Sequence, residues 1–182
     1  MPRLPTPASI ETSPAAARPL LAAVEKQLGV VPNLFRLVGN SPAALEGFLG
    51  LFGALGKGEL EPATRERIAL AVAEVNGCDY CLSAHTYLGK NLAKLSEAEI
   101  AANRDGSSTD SKADAAVRFA VKVTKARGHV SDADVQAVRK AGYSEAQVIE
   151  IVLHVALNTL TNYVNEVAKT EIDFPVVTAK AA

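Results

Sequence analysis

The chain has few of the residue types that mark several common classes of protein. Its 182 residues include no tryptophan, one methionine and two cysteines. Two cysteines are too few for the disulfide framework of a small secreted domain. No run of about 18 uninterrupted apolar residues is present, and the opening segment MPRLPTPASIETSP is too polar and proline-rich for the apolar core of a signal peptide. We therefore expect a cytoplasmic protein.

The charges of the chain nearly cancel. Its 19 basic and 20 acidic residues give a formal net charge of −1 at pH 7, and no long run of one sign occurs. This balance argues against the basic surface that binds nucleic acid, and we expect neither a nucleic-acid nor a membrane partner. Hydrophobic residues make up 48% of the chain, which is enough to build a sizeable core.

Apolar residues recur at helical spacing along most of the chain, and alternating strand patterns are missing. We therefore predict an all-α fold, a compact bundle of helices over residues 14–182 as one domain, preceded by a polar N-terminal arm over residues 1–13. The segment 31–36 interrupts the helical pattern, and the polar stretch 104–111 is expected to be a flexible loop. Helices are predicted from Ser13-Pro14 to about Leu28, after Ser41-Pro42, over 63–75, from Cys78 to about Leu88, after Ser96 with Glu99 completing a capping box, over 112–126, after Ser131, and over 145–169.

The chemistry of the sequence is concentrated in the motif Cys78-x-x-Cys81-x-x-x-His85. It follows the helix-stop signal Asn76-Gly77 and therefore lies at the start of a new helix. Residues three or four positions apart are neighbours on a helix, and Cα atoms about 5–6 Å apart permit a disulfide. The helix N-terminus and a nearby imidazole both favour a thiolate. A thiolate attacks a peroxide to form a sulfenic acid, which condenses with a second thiol.

Three other interpretations of the cysteine pair were weighed. A closed zinc site needs four ligands, so Glu66, Glu74 or a distant histidine would have to complete the set. Two inert buried thiols are a second alternative. A thioredoxin-like site needs a βαβ context, which the sequence lacks. We predict neither a metal nor a cofactor.

Glu66 and Glu74 both precede the cysteines on the helix predicted over 63–75. Glu74 lies beside Arg67 on the narrow polar strip and is expected to be solvated. Glu66 has Leu70 and Ala73 on its side of the helix, and a partly buried carboxylate needs a partner. We expect that partner to be His85, which burial with the carboxylate would poise as a base.

A family resemblance becomes specific at these residues. Glu66, eleven further residues and then the cysteine motif, within RERIALAVAEVNGCDYCLSAHTYLGK, are similar to the alkylhydroperoxidase D branch of the carboxymuconolactone decarboxylase-like family. The segments PNLFRLVGNSPAALEGF and AGYSEAQVIEIVLHVALNTLTNYVNEVAKTEIDFP resemble peroxidase-related members, so the likeness spans about residues 30–175. The resemblance implies an all-helical fold, homo-oligomers that are trimers or hexamers, and a peroxidase cycle that a dithiol partner or adaptor reduces.

The resemblance also implies roles for four residues. Cys81 matches the peroxidatic thiol and Cys78 the resolving thiol, whereas His85 and Glu66 match the proton relay. The residues alone leave the order of the two cysteines open, because Cys78 lies nearer the helix end and Cys81 nearer the histidine. Tyr80 is a departure, since better-studied members tend to carry histidine there. We expect Tyr80 to pack at a subunit interface rather than to donate a hydrogen bond to a peroxide.

The last predicted helix carries a polar stripe at helical spacing within an otherwise apolar sequence. We expect these side chains to hydrogen-bond across a helix or subunit interface, with a place in the active pocket as the alternative. The stripe comprises His154, Asn158, Thr161 and Asn165.

The sequence thus predicts a thiol-dependent peroxidase, an oxidoreductase that reduces organic hydroperoxides through a Cys78–Cys81 disulfide cycle. A redox sensor or thiol-dependent interaction module would use the same cysteines. A lactone decarboxylase-like enzyme is the third hypothesis, but that branch of the family works without the cysteine pair.

Overall fold

The fold is all-helical, as predicted. A computed structural model of the chain describes residues 2–180, and every regular element in that range is a helix. None of these helices is both long and apolar enough to cross a bilayer. Met1, Ala181 and Ala182 of the predicted arm and domain lie outside the described residues. A 3₁₀ turn at Ala15–Ala17 is followed by α1 (Arg18–Leu28), α2 (Asn33–Val38), α3 (Pro42–Leu55), α4 (Pro62–Asn76), α5 (Asp79–Asn91), α6 (Glu97–Arg104), α7 (Ser111–Ala126), α8 (Asp132–Lys140) and α9 (Glu145–Ala168).

Helix α4 is the central element of the core. It packs against α5, α6, α7 and α9, and its residues from Ile68 to Ala73 are all buried. Leu70 faces an apolar cluster shared with α1, α3 and α5, whereas Ile68 and Val72 face a second cluster shared with α7, α8 and α9. Because both clusters pack on α4, the cysteine helix α5 is held against the central helix of the core.

Most predicted helix ends are confirmed. Gly29 and Gly77 end α1 and α4 with φ angles of 76° and 68°, in the left-handed region that glycine adopts readily. Ser41 caps α3 through its side chain, and Ser131 and Ser144 cap α8 and α9 in complete capping boxes. Short-range cap signals therefore located these helices correctly.

Two predictions near the N-terminus are wrong. Ser13 does not cap a helix, because its hydroxyl donates to the carbonyl of Ser9 at 2.9 Å, and the first α-helix begins only at Arg18. Pro19 takes the first-turn position that the sequence reading gave to Pro14. The segment 31–36 does not simply break the pattern but starts the short helix α2.

Glu99 takes a different role from the one predicted. The Ser96 hydroxyl accepts a hydrogen bond from the Glu99 amide, but the Glu99 carboxylate does not return the bond of a capping box. It pairs with Arg67 at 2.6 Å and accepts hydrogen bonds from Ser108 and Thr109. Burial alone would raise its pKa, but these bonds lower the pKa of Glu99 to about 2. The carboxylate thus holds the loop that was expected to be flexible.

The segment after α9 crosses the outer side of α5. The Val177 amide donates to the Ser83 hydroxyl at 2.9 Å, and the Ala179 amide donates to the Asp79 carboxylate at 2.8 Å. Phe174 packs edge-on against Tyr80. The N-terminal end of α5 is therefore covered by chain from the opposite terminus.

Replacing Glu99 by alanine should destabilise the fold by about 3 kcal/mol at pH 7, because it leaves Arg67 without its buried counter-ion. The pKa of Glu99 is depressed in the folded state. Its contribution is therefore present above about pH 4.5 and is lost as the pH falls towards 2. Urea unfolding of both proteins at pH 7, 4 and 3 measures the difference.

Glu97→Ala is the matched control, since Glu97 is on the same first turn and its side chain is 84% exposed. We expect it to change the free energy of unfolding far less than Glu99→Ala does, because solvent screens an exposed ion pair. Equal destabilisation by the two substitutions would show that Glu99 does not stabilise the fold through buried contacts.

Candidate active site

The cysteine motif is placed by the turn between α4 and α5. The left-handed conformation of Gly77 ends α4, and the Cys78 amide donates back to the Ala73 carbonyl at 3.0 Å. Cys78 is then the N-cap of α5, with its sulfur accepting a hydrogen bond from the Cys81 amide at 3.3 Å. Cys81 follows in the first helical turn and His85 one turn later. The predicted arrangement at the start of a helix is confirmed.

The two thiols are buried and unequal in acidity. Cys78 is fully buried and Cys81 is 3% exposed; neither forms a disulfide. A hydrogen bond from the Cys78 thiol, opposed by burial, lowers the pKa of Cys81 to about 7, with further help from Asn165, the charge of His85 and Asn162. The same bond and burial raise the pKa of Cys78. Cys81 is therefore the thiol that ionises more readily.

His85 and Glu66 form the predicted pair. The His85 Nδ1 and the Glu66 Oε2 are 2.8 Å apart, and each side chain is 23% exposed. Burial alone would lower the pKa of His85, but the charge and hydrogen bond of Glu66 raise it. With Nδ1 bonded to Glu66, Nε2 is the nitrogen left for proton exchange. The pair forms the more open edge of a site whose thiols are buried.

Glu74 does not occupy the solvated position that was predicted for it. Its carboxylate pairs with Arg104 at 2.6 Å and accepts a hydrogen bond from the Lys180 amide, also at 2.6 Å. Both partners are distant in sequence, and Arg67, its expected neighbour, pairs with Glu99 instead. Glu74 thus joins α4 to α6 and to the C-terminal segment, away from His85.

The polar stripe of α9 divides into two parts. The Asn165 amide donates to the Cys81 sulfur at 3.3 Å, so this residue contacts the site. Asn158 and Thr161 bond to carbonyls of their own helix, at His154 and Asn158. Sequence reasoning missed Asn162, which is fully buried, accepts from Asn76 and lowers the pKa of Cys81. Asn162 could have been predicted to lie near the site from its position three residues before Asn165 on the same helix.

His154 is buried beneath the relay. Burial, together with the positive charge of Arg65, lowers its pKa to about 4, so its imidazole is neutral at pH 7. Its Nε2 has no hydrogen-bond partner among residues 2–180. A neutral buried histidine is a structural element rather than an acid at this position.

Tyr80 packs, as expected, but inside the chain, where it is buried, rather than at a subunit interface. Its hydroxyl accepts a hydrogen bond from the Leu34 amide at 3.1 Å, and its ring lies 5.8 Å from that of Phe174. Burial raises the pKa of the phenol, so the hydroxyl stays protonated. Tyr80 therefore ties α5 to α2 and to the C-terminal segment.

Within the described range, no group of three or more histidine, cysteine, aspartate or glutamate side chains is arranged to hold a metal ion. The site instead combines a thiol pair within disulfide reach, a thiolate-stabilising set of hydrogen bonds, and a histidine and carboxylate that exchange protons. This combination suits nucleophilic attack by sulfur followed by formation of a disulfide.

Comparison with known proteins finds a family model that matches the part of the chain around the site. The model of the carboxymuconolactone decarboxylase family matches residues 42–126, a span that contains Glu66, Cys78, Cys81 and His85. This part of the chain is therefore similar to the carboxymuconolactone decarboxylase family. A search of curated proteins gives no match.

Several solved structures share the fold over most of the chain. An uncharacterised peroxidase-related protein from Ralstonia eutropha JMP134, described as an alkylhydroperoxidase AhpD core, is 27% identical, with a TM-score of 0.83 over 94% of this chain and 92% of its own. A peroxidase-related protein from Silicibacter sp. TM1040 is 24% identical, with a TM-score of 0.79 over 93% and 89%. A variant of the debrominase Bmp8 in complex with 2,3,4-tribromopyrrole is 22% identical, with a TM-score of 0.79 over 95% and 93%.

Replacing Glu66 by glutamine should slow alkylation of Cys81 by iodoacetamide at pH 7 roughly threefold or more. Glu66 raises the pKa of His85, and the charged His85 lowers that of Cys81. The substitution therefore lowers the pKa of His85 and raises the pKa of Cys81. As a result, the pH profile of the alkylation rate moves to higher pH. Rates measured from pH 5 to 9 test this.

Glu74→Gln is the control, because Glu74 pairs with Arg104 rather than His85. Its pH profile should match that of the unmodified protein. An unchanged profile in Glu66→Gln would contradict the coupling between the relay and the thiol.

Proposed function

We propose that the protein is a thiol-dependent peroxidase that reduces organic hydroperoxides. The observation that carries the proposal is the surroundings of Cys81, which has a second thiol in the same helical turn and a hydrogen bond from Asn165 to its sulfur. These contacts lower the pKa of Cys81 to about 7, which leaves much of it as thiolate at neutral pH. The Cys78 thiol adjoins it, and the pair of His85 and Glu66 supplies a proton. The peroxidase-related relatives support the same chemistry.

In the first step, the Cys81 thiolate attacks the terminal oxygen of the hydroperoxide. The O–O bond breaks, an S–O bond forms, and the sulfur loses two electrons to the substrate. The departing alkoxide takes a proton from Nε2 of the His85 imidazolium and leaves as an alcohol. Glu66 stabilises the charged imidazole before the transfer. The product on the protein is a Cys81 sulfenic acid.

In the second step, the Cys78 sulfur attacks the sulfenic sulfur, and an S–S bond replaces the S–O bond. His85, now neutral, accepts the Cys78 proton and passes it to the departing hydroxyl, which leaves as water. The raised pKa of Cys78 fits a thiol that stays protonated until the sulfenic acid forms. An external dithiol then supplies two electrons and two protons and restores both cysteines.

With cumene hydroperoxide and excess dithiothreitol, we expect sustained consumption of peroxide. Cys81→Ser should reduce the rate at least about a hundredfold, because the pKa of the remaining cysteine, Cys78, is raised and its thiol stays protonated. Cys78→Ser should retain the first oxidation but recycle more slowly. Peroxide loss is measured continuously, with Asp79→Asn as a matched control in the same helical turn.

A Cys81→Ser variant that keeps most of the turnover would rule out this mechanism. Asp79→Asn changes the same helical turn but removes no sulfur, since Asp79 bonds to the Ala179 amide rather than to a thiol. It therefore separates the loss of the Cys81 sulfur from a general disturbance of that turn.

Burial of both sulfurs also favours a slower, stoichiometric role as a redox sensor, because reagents reach enclosed thiols slowly. Such a protein would be oxidised once by peroxide and would show no sustained turnover with any dithiol. The same assay therefore separates the two functions. A lactone decarboxylase would not need the cysteines, and a double serine variant would keep that activity.

We also propose that the protein forms a homo-oligomer through α9. Every exposed residue of this helix from 149 to 167 is apolar, and the 4-3-4-3-4 spacing of six of them is that of helices that pack lengthwise. Self-pairing of one face about a two-fold axis gives a dimer, from which a hexamer can be built. The exposed residues are Ile149, Val152, Leu153, Ala156, Leu160, Tyr163 and Val167.

Leu160→Glu should at least halve the mass of the assembly in light scattering, because it buries a charge in the paired face. Leu92→Glu is the control, an apolar residue that is 70% exposed outside α9. Wild-type protein that runs as a 19.1 kDa monomer would contradict the proposal.

A further inference from the structure

Two asparagines of α9 enclose the reactive sulfur. Asn162 is fully buried and Asn165 is 2% exposed, and they lie three residues apart on the buried side of α9. The Asn165 Nδ2 donates to the Cys81 sulfur at 3.3 Å, and the Asn162 Oδ1 accepts from the Asn76 side chain at 2.8 Å. Each amide therefore has one end held in place.

The second polar atom of each side-chain amide is not held in this way. The Asn165 Oδ1 acceptor is buried and has no hydrogen-bond partner within residues 2–180. The buried Asn162 Nδ2 donor has none there except the Cys81 sulfur, whose pKa Asn162 lowers. Buried polar groups normally have partners, and an unpartnered one destabilises a fold. Leucine at either position would suit the apolar sequence of α9. Two such groups, one a donor and one an acceptor beside a single sulfur, indicate a polar ligand.

A hydroperoxide has the complementary groups. Its terminal oxygen carries the one O–H donor, and its other oxygen has lone pairs that gain negative charge as the O–O bond breaks. We propose that Asn165 Oδ1 accepts the hydrogen bond of the hydroperoxide O–H and that Asn162 Nδ2 donates to the departing oxygen. This inference rests on the proposed peroxidase function.

The arrangement would favour the transition state over the bound substrate. The Asn165 Nδ2 holds the thiolate, while its Oδ1 orients the terminal oxygen towards the sulfur. As the sulfur bonds to that oxygen, the charge moves to the oxygen attached to carbon, where the Asn162 donor meets it until the proton arrives from His85. A donor aimed at developing charge contributes more in the transition state than in the ground state.

The test compares two reagents for Cys81. Cumene hydroperoxide needs both amides, whereas iodoacetamide loses iodide and has neither an O–H nor a departing oxygen. Rate constants for both are measured from pH 5 to 9, so that each is expressed per thiolate and a changed thiol pKa drops out. Asn162→Leu and Asn165→Leu should lower the peroxide constant about tenfold or more relative to the iodoacetamide constant.

Asn158→Leu is the matched control, a buried asparagine of the same helix whose amide bonds to the His154 carbonyl. It should leave the ratio of the two constants unchanged. An unchanged ratio in both the Asn162 and Asn165 variants would overturn the inference. It would show that the two amides affect only the pKa of Cys81. If the leucine variants do not fold, the corresponding alanine variants give the same ratio.

A failure of the proposed peroxidase function would give a different result in the same experiment. Wild-type protein whose Cys81 reacts with iodoacetamide but not with the hydroperoxide would overturn the peroxidase function itself. A wild type that reacts with both reagents, together with variants that keep its ratio, would overturn only the role of the asparagines.

Discussion

The junction between α4 and α5 is the constraint on which the site depends. Gly77 reverses the chain in the left-handed region, so that Cys78 caps α5 immediately after α4 ends. Any other residue there would be strained. Because α4 contributes to both apolar clusters, the first turn of α5 follows directly from the central helix of the core. The positions of both sulfurs follow from that turn.

Within one helical turn, the pKa values of the two cysteines are shifted in opposite directions. As the N-cap, the Cys78 sulfur accepts from the Cys81 amide, and its thiol stabilises negative charge on Cys81. The surroundings of Cys81 extend this difference, with His85 on its more open side and the asparagines of α9 on its buried side. The helix dipole alone would have favoured Cys78, but specific hydrogen bonds outweigh it.

Local signals in the sequence predicted much of this arrangement. Helix caps such as Ser131 and Ser144 involve residues three positions apart, and the pairing of Glu66 with His85 follows from the faces of two consecutive helices. Long-range contacts were harder to predict. Glu74 bonds to Arg104 and Lys180, and nothing near it in sequence indicates either partner.

The role of Asn162 escaped prediction for a related reason. Helical periodicity identified a polar stripe through Asn165, but the direction of that stripe relative to α5 depends on how α9 packs on α4. Ser13 shows the same limit at short range, since the serine had a carbonyl four residues earlier as an alternative partner. Periodicity defines the faces of a helix, whereas packing decides what each face meets.

The central claim is that peroxide converts the two thiols into one disulfide through Cys81. Free thiols of the reduced, metal-stripped protein should be titrated before and after one equivalent of cumene hydroperoxide, in the wild type and in each single serine variant. The account predicts rapid loss of two thiols in the wild type, one in Cys78→Ser and none in Cys81→Ser. Loss of a thiol in Cys81→Ser but not in Cys78→Ser, or no loss in any of the proteins, would contradict it.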